Sequence, residues 1–213
     1  MRTQILICLA AATLAFGCDD PAEGKAKATV GSAIATASAP PPAAEAKTEK
    51  ASFSEAQGKV EWEGSKVSGS HTGNFGKFKG EVELVDGKAE GGKVSVDIDM
   101  TSVTSDNDQL TKHLLSDDFF STEKFPAAKF VSTEVKAGGE GSATHTITGN
   151  LTMRGETKSI SFPATLGVAE KEVTVKSEFS INRKDFGIVY AGKADDLIRD
   201  NVVIKLDLKV PRG

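Results

Sequence analysis

From residue 58 onward apolar residues recur at every second position, and that period decides what the chain can become. In Lys93 to Met100, the side chains of Val94, Val96, Ile98 and Met100 share one face, while Ser95, Asp97 and Asp99 share the other. Val173, Val175, Phe179 and Ile181 alternate in the same way with Thr174, Lys176, Glu178 and Ser180. Val202, Ile204, Leu206, Leu208 and Val210 repeat it against Lys205, Asp207 and Lys209. Successive side chains of a strand point to opposite faces, so this pattern makes half-buried antiparallel strands and cannot make an amphipathic helix. Further strands are predicted near 59–68, 75–85, 127–136, 144–153 and 158–167, separated by Asp86-Gly87, Gly91-Gly92, Gly138-Gly139 and Arg154-Gly155. Glycine turns reverse the chain because Gly adopts positive φ without a steric penalty. Roughly eight strands at this spacing predict an all-β fold, either a sandwich or a closed antiparallel barrel.

Ser105 to Leu115 departs from that period. It opens with capping residues, carries acids in its first turn and places Leu110 and Leu114 four apart. This predicts one short helix in a strand connection, ended before Phe119-Phe120 and Pro126 and placed to cover a barrel mouth. An eight-stranded barrel is either filled by its own side chains or holds one apolar ligand. Nine of the eleven phenylalanines lie between Phe75 and Phe186, a composition that suits a dry lipid pocket and a solid core equally.

The first 17 residues read as a leader: Arg2 supplies a positive charge, and Ile5 to Phe16 is an apolar run too short to span a bilayer permanently. Leu14-Ala15-Phe16-Gly17-Cys18 resembles the lipobox of bacterial lipoprotein signal peptides, which implies cleavage before Cys18 and lipidation of its sulfur. An ordinary secretory signal is the alternative, and both export the chain to the cell envelope. The only cysteines are Cys8 and Cys18, so the mature chain has no internal disulfide and must rely on a hydrophobic core. Residues 18–53 are rich in Ala, Lys, Glu and Pro and are predicted to be a disordered tether holding the domain off the membrane; residues 54–213 form the single domain.

Five motifs, in order, are Trp62-Glu63-Gly64-Ser65-Lys66; Ser70-His71-Thr72-Gly73; His113-Leu114-Leu115-Ser116 with Phe119-Phe120 and Lys124-Phe125-Pro126; Gly149-Asn150-Leu151-Thr152-Met153-Arg154-Gly155; and Asn182-Arg183-Lys184-Asp185-Phe186-Gly187. With this spacing the chain resembles the YceI-like family over roughly residues 58–210. The resemblance implies a lipocalin-like antiparallel barrel of eight strands that binds a polyisoprenoid, a quinone or another long-chain lipid in its interior, without catalysis. By the resemblance the polar residues nearest the mouth are His71, His113, Arg183 and Asp185, while Val94, Val96, Ile98, Phe119, Phe130, Phe162, Phe179 and Ile204 are read as inward-facing lipid-binding contacts along the tail. His71 and Arg183 are candidate donors to a head group, with an Arg183–Asp185 structural pair as the alternative for the latter.

The remaining function classes find little support. Net charge is −4 with acids and bases interleaved, so nucleic acid is not an expected partner. Three histidines and no domain cysteine leave no metal-ligand spacing, and neither metal nor cofactor is expected. Asp185-Phe186-Gly187 lacks every other kinase element, and no serine sits in a nucleophile elbow. A membrane-tethered carrier or store is therefore weighed against a structural envelope protein with a filled barrel and an enzyme acting on an isoprenoid; a homodimer is left open.

Overall fold

The computed structural model describes residues 20–35 and 46–212. The expected leader and Cys18 lie outside the described residues. In chain order the strands are β1 (Thr29–Ser32), β2 (Thr48–Ser54), β3 (Gly58–Lys66), β4 (Gly69–Phe75), β5 (Phe78–Val85), β6 (Lys88–Asp99) and β7 (Val103–Ser105). After helix α1 (Asp108–Leu115) follow β8 (Ala127–Ala137), β9 (His145–Met153), β10 (Glu156–Val168), β11 (Glu172–Asn182), β12 (Gly192–Lys193), β13 (Asp196–Leu197) and β14 (Asn201–Pro211). Twelve of these strands form one antiparallel sheet in the order β2-β5-β6-β8-β9-β10-β11-β14-β3-β4-β7, with β1 added beside β10. The sheet curls strongly, and its β2 edge meets the end of β14, where Arg212 donates to both carboxylate oxygens of Glu49 at 2.7 and 2.6 Å.

The eight expected strands correspond to β3, β5, β6, β8, β9, β10, β11 and β14. Their inward residues meet in register: Val96 faces Phe130, Phe130 faces Leu151, and Ile204 lies between Phe179 and Trp62. The helix forms where Asn107 caps it, its side chain accepting from the Leu110 N–H at 3.0 Å.

The segment expected to be disordered over 18–53 is corrected in both of its described parts. β2 pairs with β5 over seven residues and buries Ala51 and Phe53. The ladder between β10 and β11 runs only from Thr165 to Val168 on β10, so these strands diverge toward the mouth. β1 occupies that divergence: Thr29–Ser32 pair with Ser161–Lys158, while the Ala28 N–H donates to the Ser180 carbonyl and the Ser180 N–H to the Ala26 carbonyl. Asn150 fastens the strap through its side chain, accepting from the Ile34 N–H at 2.9 Å and donating to the Ile34 carbonyl at 2.7 Å. Backbone groups left unpaired by diverging strands supply what the strap's small side chains lack, because a buried N–H or C=O needs a partner.

Candidate functional site

Two cavities adjoin along the inside of the curled sheet. The inner one, about 130 Å³, is lined only by apolar side chains drawn from nearly every strand. Val94, Val96, Ile98, Phe130, Phe162, Phe179 and Ile204, all expected to contact a tail, line it. Its middle is occupied by aromatic rings: Phe162 stacks on Phe179 with centroids 4.3 Å apart, and Phe130 leans on Phe162 at 5.7 Å. The remaining space resembles a cavity that accepts a benzene-sized guest, about 150 Å³.

The outer cavity, about 370 Å³, lies at the mouth beneath α1 and the 183–198 segment. It brings together His71, His113, Phe119 and Arg183, the remaining predicted residues, with Trp62, Ser65, Lys66, Tyr190, Ile198 and Val202. The two cavities share strands one residue pair apart. Ile204 lines the inner one while its partner Trp62 lines the outer, and Val202 lines the outer while its partner Ile181 lines the inner.

Each mouth side chain is held by identifiable partners. His71 on β4 places Nδ1 2.8 Å from Asp106 Oδ1, at the approach to α1. Burial opposes the charge of Asp106, yet hydrogen bonds from His71, the Thr72 N–H and Ser105 outweigh it and hold the carboxyl below the usual aspartate range. His113 on α1 contacts Asp118 through Nε2 at 2.8 Å and sits edge-on to Phe119 and Tyr190, at centroid distances of 4.9 and 5.0 Å. Lys66 pairs with Asp196, and that hydrogen bond, against burial, keeps the Asp196 carboxyl low. From the turn after β9, Arg154 joins two mouth segments by donating to the carbonyls of Gly187 and Asp117.

Arg183 lines the mouth cavity with much of its guanidinium already engaged by the chain itself. Its side chain is buried, and Nε, Nη1 and Nη2 donate to the carbonyls of Arg199 (3.0 Å), Ile188 (2.7 Å) and Ile198 (3.2 Å). The carboxylate within its reach is Asp200 at 3.5 Å rather than Asp185. Burial pushes the guanidinium down from its ordinary value, and Asp200 opposes that shift.

Two residues outside the predicted set carry unmet polar atoms at this mouth. Trp62 and Ser65 are 8% and 5% exposed, and the indole Nε1 and the hydroxyl have no hydrogen-bond partner among the described residues. A buried donor without a partner loses about 1–3 kcal/mol, so these atoms mark where an acceptor from outside the chain would be favoured. Both stand in the Trp62-to-Lys66 motif, whose sequence alone does not say which of its polar atoms find partners in the fold.

Comparison with known proteins agrees with this architecture. The family model described as YceI-like domain matches residues 46–210. A UPF0312 protein of Pseudomonas putida (strain GB-1) is 38% identical over 136 residues, 61% of this chain and 70% of that one. A UPF0312 protein of Shewanella denitrificans is 40% identical over 146 residues, 65% and 72% of the two chains. Among solved structures, Burkholderia cenocepacia BcnA superimposes with a TM-score of 0.58 at 23% identity, covering 70% of this chain and 95% of that one. A polyisoprenoid binding domain from Saccharophagus degradans, implicated in plant cell wall breakdown, superimposes with a TM-score of 0.60 at 16% identity, covering 78% and 100%. These likenesses are likenesses of fold.

Proposed function

The chain belongs to the YceI-like family, and on that premise we propose that it binds a polyisoprenoid, quinone or similar long-chain lipid and serves as a membrane-tethered carrier or store in a bacterial envelope. One observation carries the reading: a wholly apolar cavity adjoins a mouth cavity lined in part by polar side chains, Trp62 and Ser65 among them, whose buried polar atoms have no partner among the described residues. An amphiphile has that division of chemistry, with an apolar tail to exclude from water and a few polar atoms to orient. The polyisoprenoid binding domain of Saccharophagus degradans, which shares the fold, supports it. In this assignment the tail lies among Phe130, Phe162 and Phe179 while Trp62 Nε1 and Ser65 Oγ meet an oxygen of the head group. His71 and His113 border that head group, each already engaged by an aspartate. Lipidation of Cys18, export and membrane attachment belong to the same proposal.

The filled barrel is the second reading, favoured by the size of the inner cavity. Ligand sites usually enclose about 300–1,000 Å³, and the inner space is about 130 Å³. A tail of several isoprene units therefore requires the stacked phenylalanines to swing aside. Native mass spectrometry of the protein, followed by organic extraction, separates the two. A stoichiometric apolar adduct of isoprenoid type is the expected result. A mass equal to the bare chain, unchanged after incubation with quinones and polyprenols, leaves the filled barrel as the answer. A lipid that is released chemically altered points instead to an enzyme.

A further inference from the structure

Five large apolar side chains are exposed among the described residues, and three of them, Val67, Val189 and Leu197, surround the mouth. The Val67 N–H donates to the Leu197 carbonyl at 3.1 Å, and Lys66 and Ile198, their neighbours, form a bridge and line the cavity. Val189 stands between Ile188 and Tyr190, which also line it. A single exposed valine needs no explanation, but three of 49–66% exposure ringing one cavity form a patch that does.

The N-terminal strap arrives at the same rim. Asp20 pairs with Arg199 at 3.0 Å, and Arg199 is the residue after Ile198. The segment that follows is fixed to β10 and β11.

We propose that the rim formed by Val67, Val189 and Leu197 docks on a lipid bilayer, so that the mouth cavity opens directly onto the membrane. The proposal rests on the carrier reading for its purpose and on the position of the rim for its geometry. Apolar tips enter the interface, the chain's N-terminal side points the same way, and a lipid passes between bilayer and barrel without crossing water.

The test places a tryptophan at the rim with Leu197→Trp, or at the opposite end with Glu170→Trp, in the turn joining β10 and β11. The full chain, as purified from membranes, is mixed at saturation with vesicles of phosphatidylethanolamine and phosphatidylglycerol bearing brominated acyl chains. Emission is read as the difference from the parent with Trp62 alone. The L197W signal is expected to shift to the blue and lose most of its intensity, while the E170W signal is unchanged. Equal behaviour at the two positions, or an unchanged L197W signal, overturns the proposal whatever the state of Cys18. A blue shift without vesicles, accompanied by a doubled mass, overturns it in favour of a second copy of the chain. The triple variant Val67→Glu, Val189→Glu, Leu197→Glu, checked for fold by circular dichroism, is expected to take up vesicle lipid several-fold more slowly. Organic extraction of the same samples separates the two ideas: bound lipid with an unquenched rim sinks docking alone, and a quenched rim on a lipid-free protein sinks the carrier alone.

Discussion

The backbone carbonyls of Ile188, Ile198 and Arg199 converge on the one guanidinium of Arg183. Two of them belong to the segment around β12 and β13, whose own hydrogen bonding is slight: two strands of two residues each. A planar fork spreads its donors over three nitrogens to meet acceptors that lie apart, whereas an ammonium gathers its three donors on one nitrogen. Arg183→Lys is therefore expected to lower stability nearly as far as Arg183→Ala, by about 3–5 kcal/mol, because either leaves buried acceptors unmet. Chemical denaturation measures it; an Arg183→Lys protein as stable as the parent would favour the head-group role for the residue. Gly73 poses the opposite constraint, since it faces Trp62 across the β3–β4 ladder and a Cβ there would meet the indole ring and the Thr104 carbonyl. Gly73→Ala is expected to destabilise by about 1–3 kcal/mol through overpacking. It should also displace the indole, read as a change in near-ultraviolet circular dichroism at the single tryptophan.

At the scale of elements, α1 is bracketed by two carboxylates that titrate low. Asp106 is held by His71, Thr72 and Ser105 against burial, and Asp117 by Lys124 and Ser121. A carboxyl whose folded value lies below its unfolded value, about 3.9, stabilises the fold above that pH, and the contribution drains away as pH falls through the lower folded value. Acid below about pH 4 is thus expected to loosen α1 and the mouth before the barrel wall, seen as early loss of amide protection over Asp108–Leu115. Asp106→Asn should remove part of that pH dependence, and a helix that exchanges in step with β11 at every pH would refute the idea. The elements also show what was readable from the chain. β6, β11 and β14 announce themselves because each turns a row of branched apolar residues toward the inner cavity. β2 offers only Ala51 and Phe53 to the interior, and Glu49, which shares their face, serves Arg212. Local composition therefore outweighed a signal of two residues. β1 has no apolar signature at all, since its place is made by the divergence of β10 and β11 and by the amide of Asn150, features that exist only once the sheet is folded.

Across the whole molecule, the inward face of the eight expected strands could be read because a register shift of one would have turned their apolar residues to water. All eleven expected contact residues consequently line one of two adjoining cavities, with His71, His113, Phe119 and Arg183 at the mouth. How much open volume those side chains leave depends on rotamers and ring stacking, which alternation does not encode. Phe162 decides that volume, stacked on Phe179 on one side and tilted against Phe130 on the other. Removing a buried phenylalanine costs about 3–5 kcal/mol, part of it from the void left behind. A guest that fills the void recovers some of this, and stabilisation grows with ligand concentration as RT ln(1 + [L]/Kd). Phe162→Ala is therefore expected to be less stable than the parent when lipid-free and to show the larger rise in Tm when a polyprenol or quinone is added. Thermal melts of both proteins across a ligand series measure this. A variant that loses stability and gains nothing from any apolar chain would mean that the phenylalanines are the permanent contents of the barrel, because a void of that size and polarity would otherwise take up a tail.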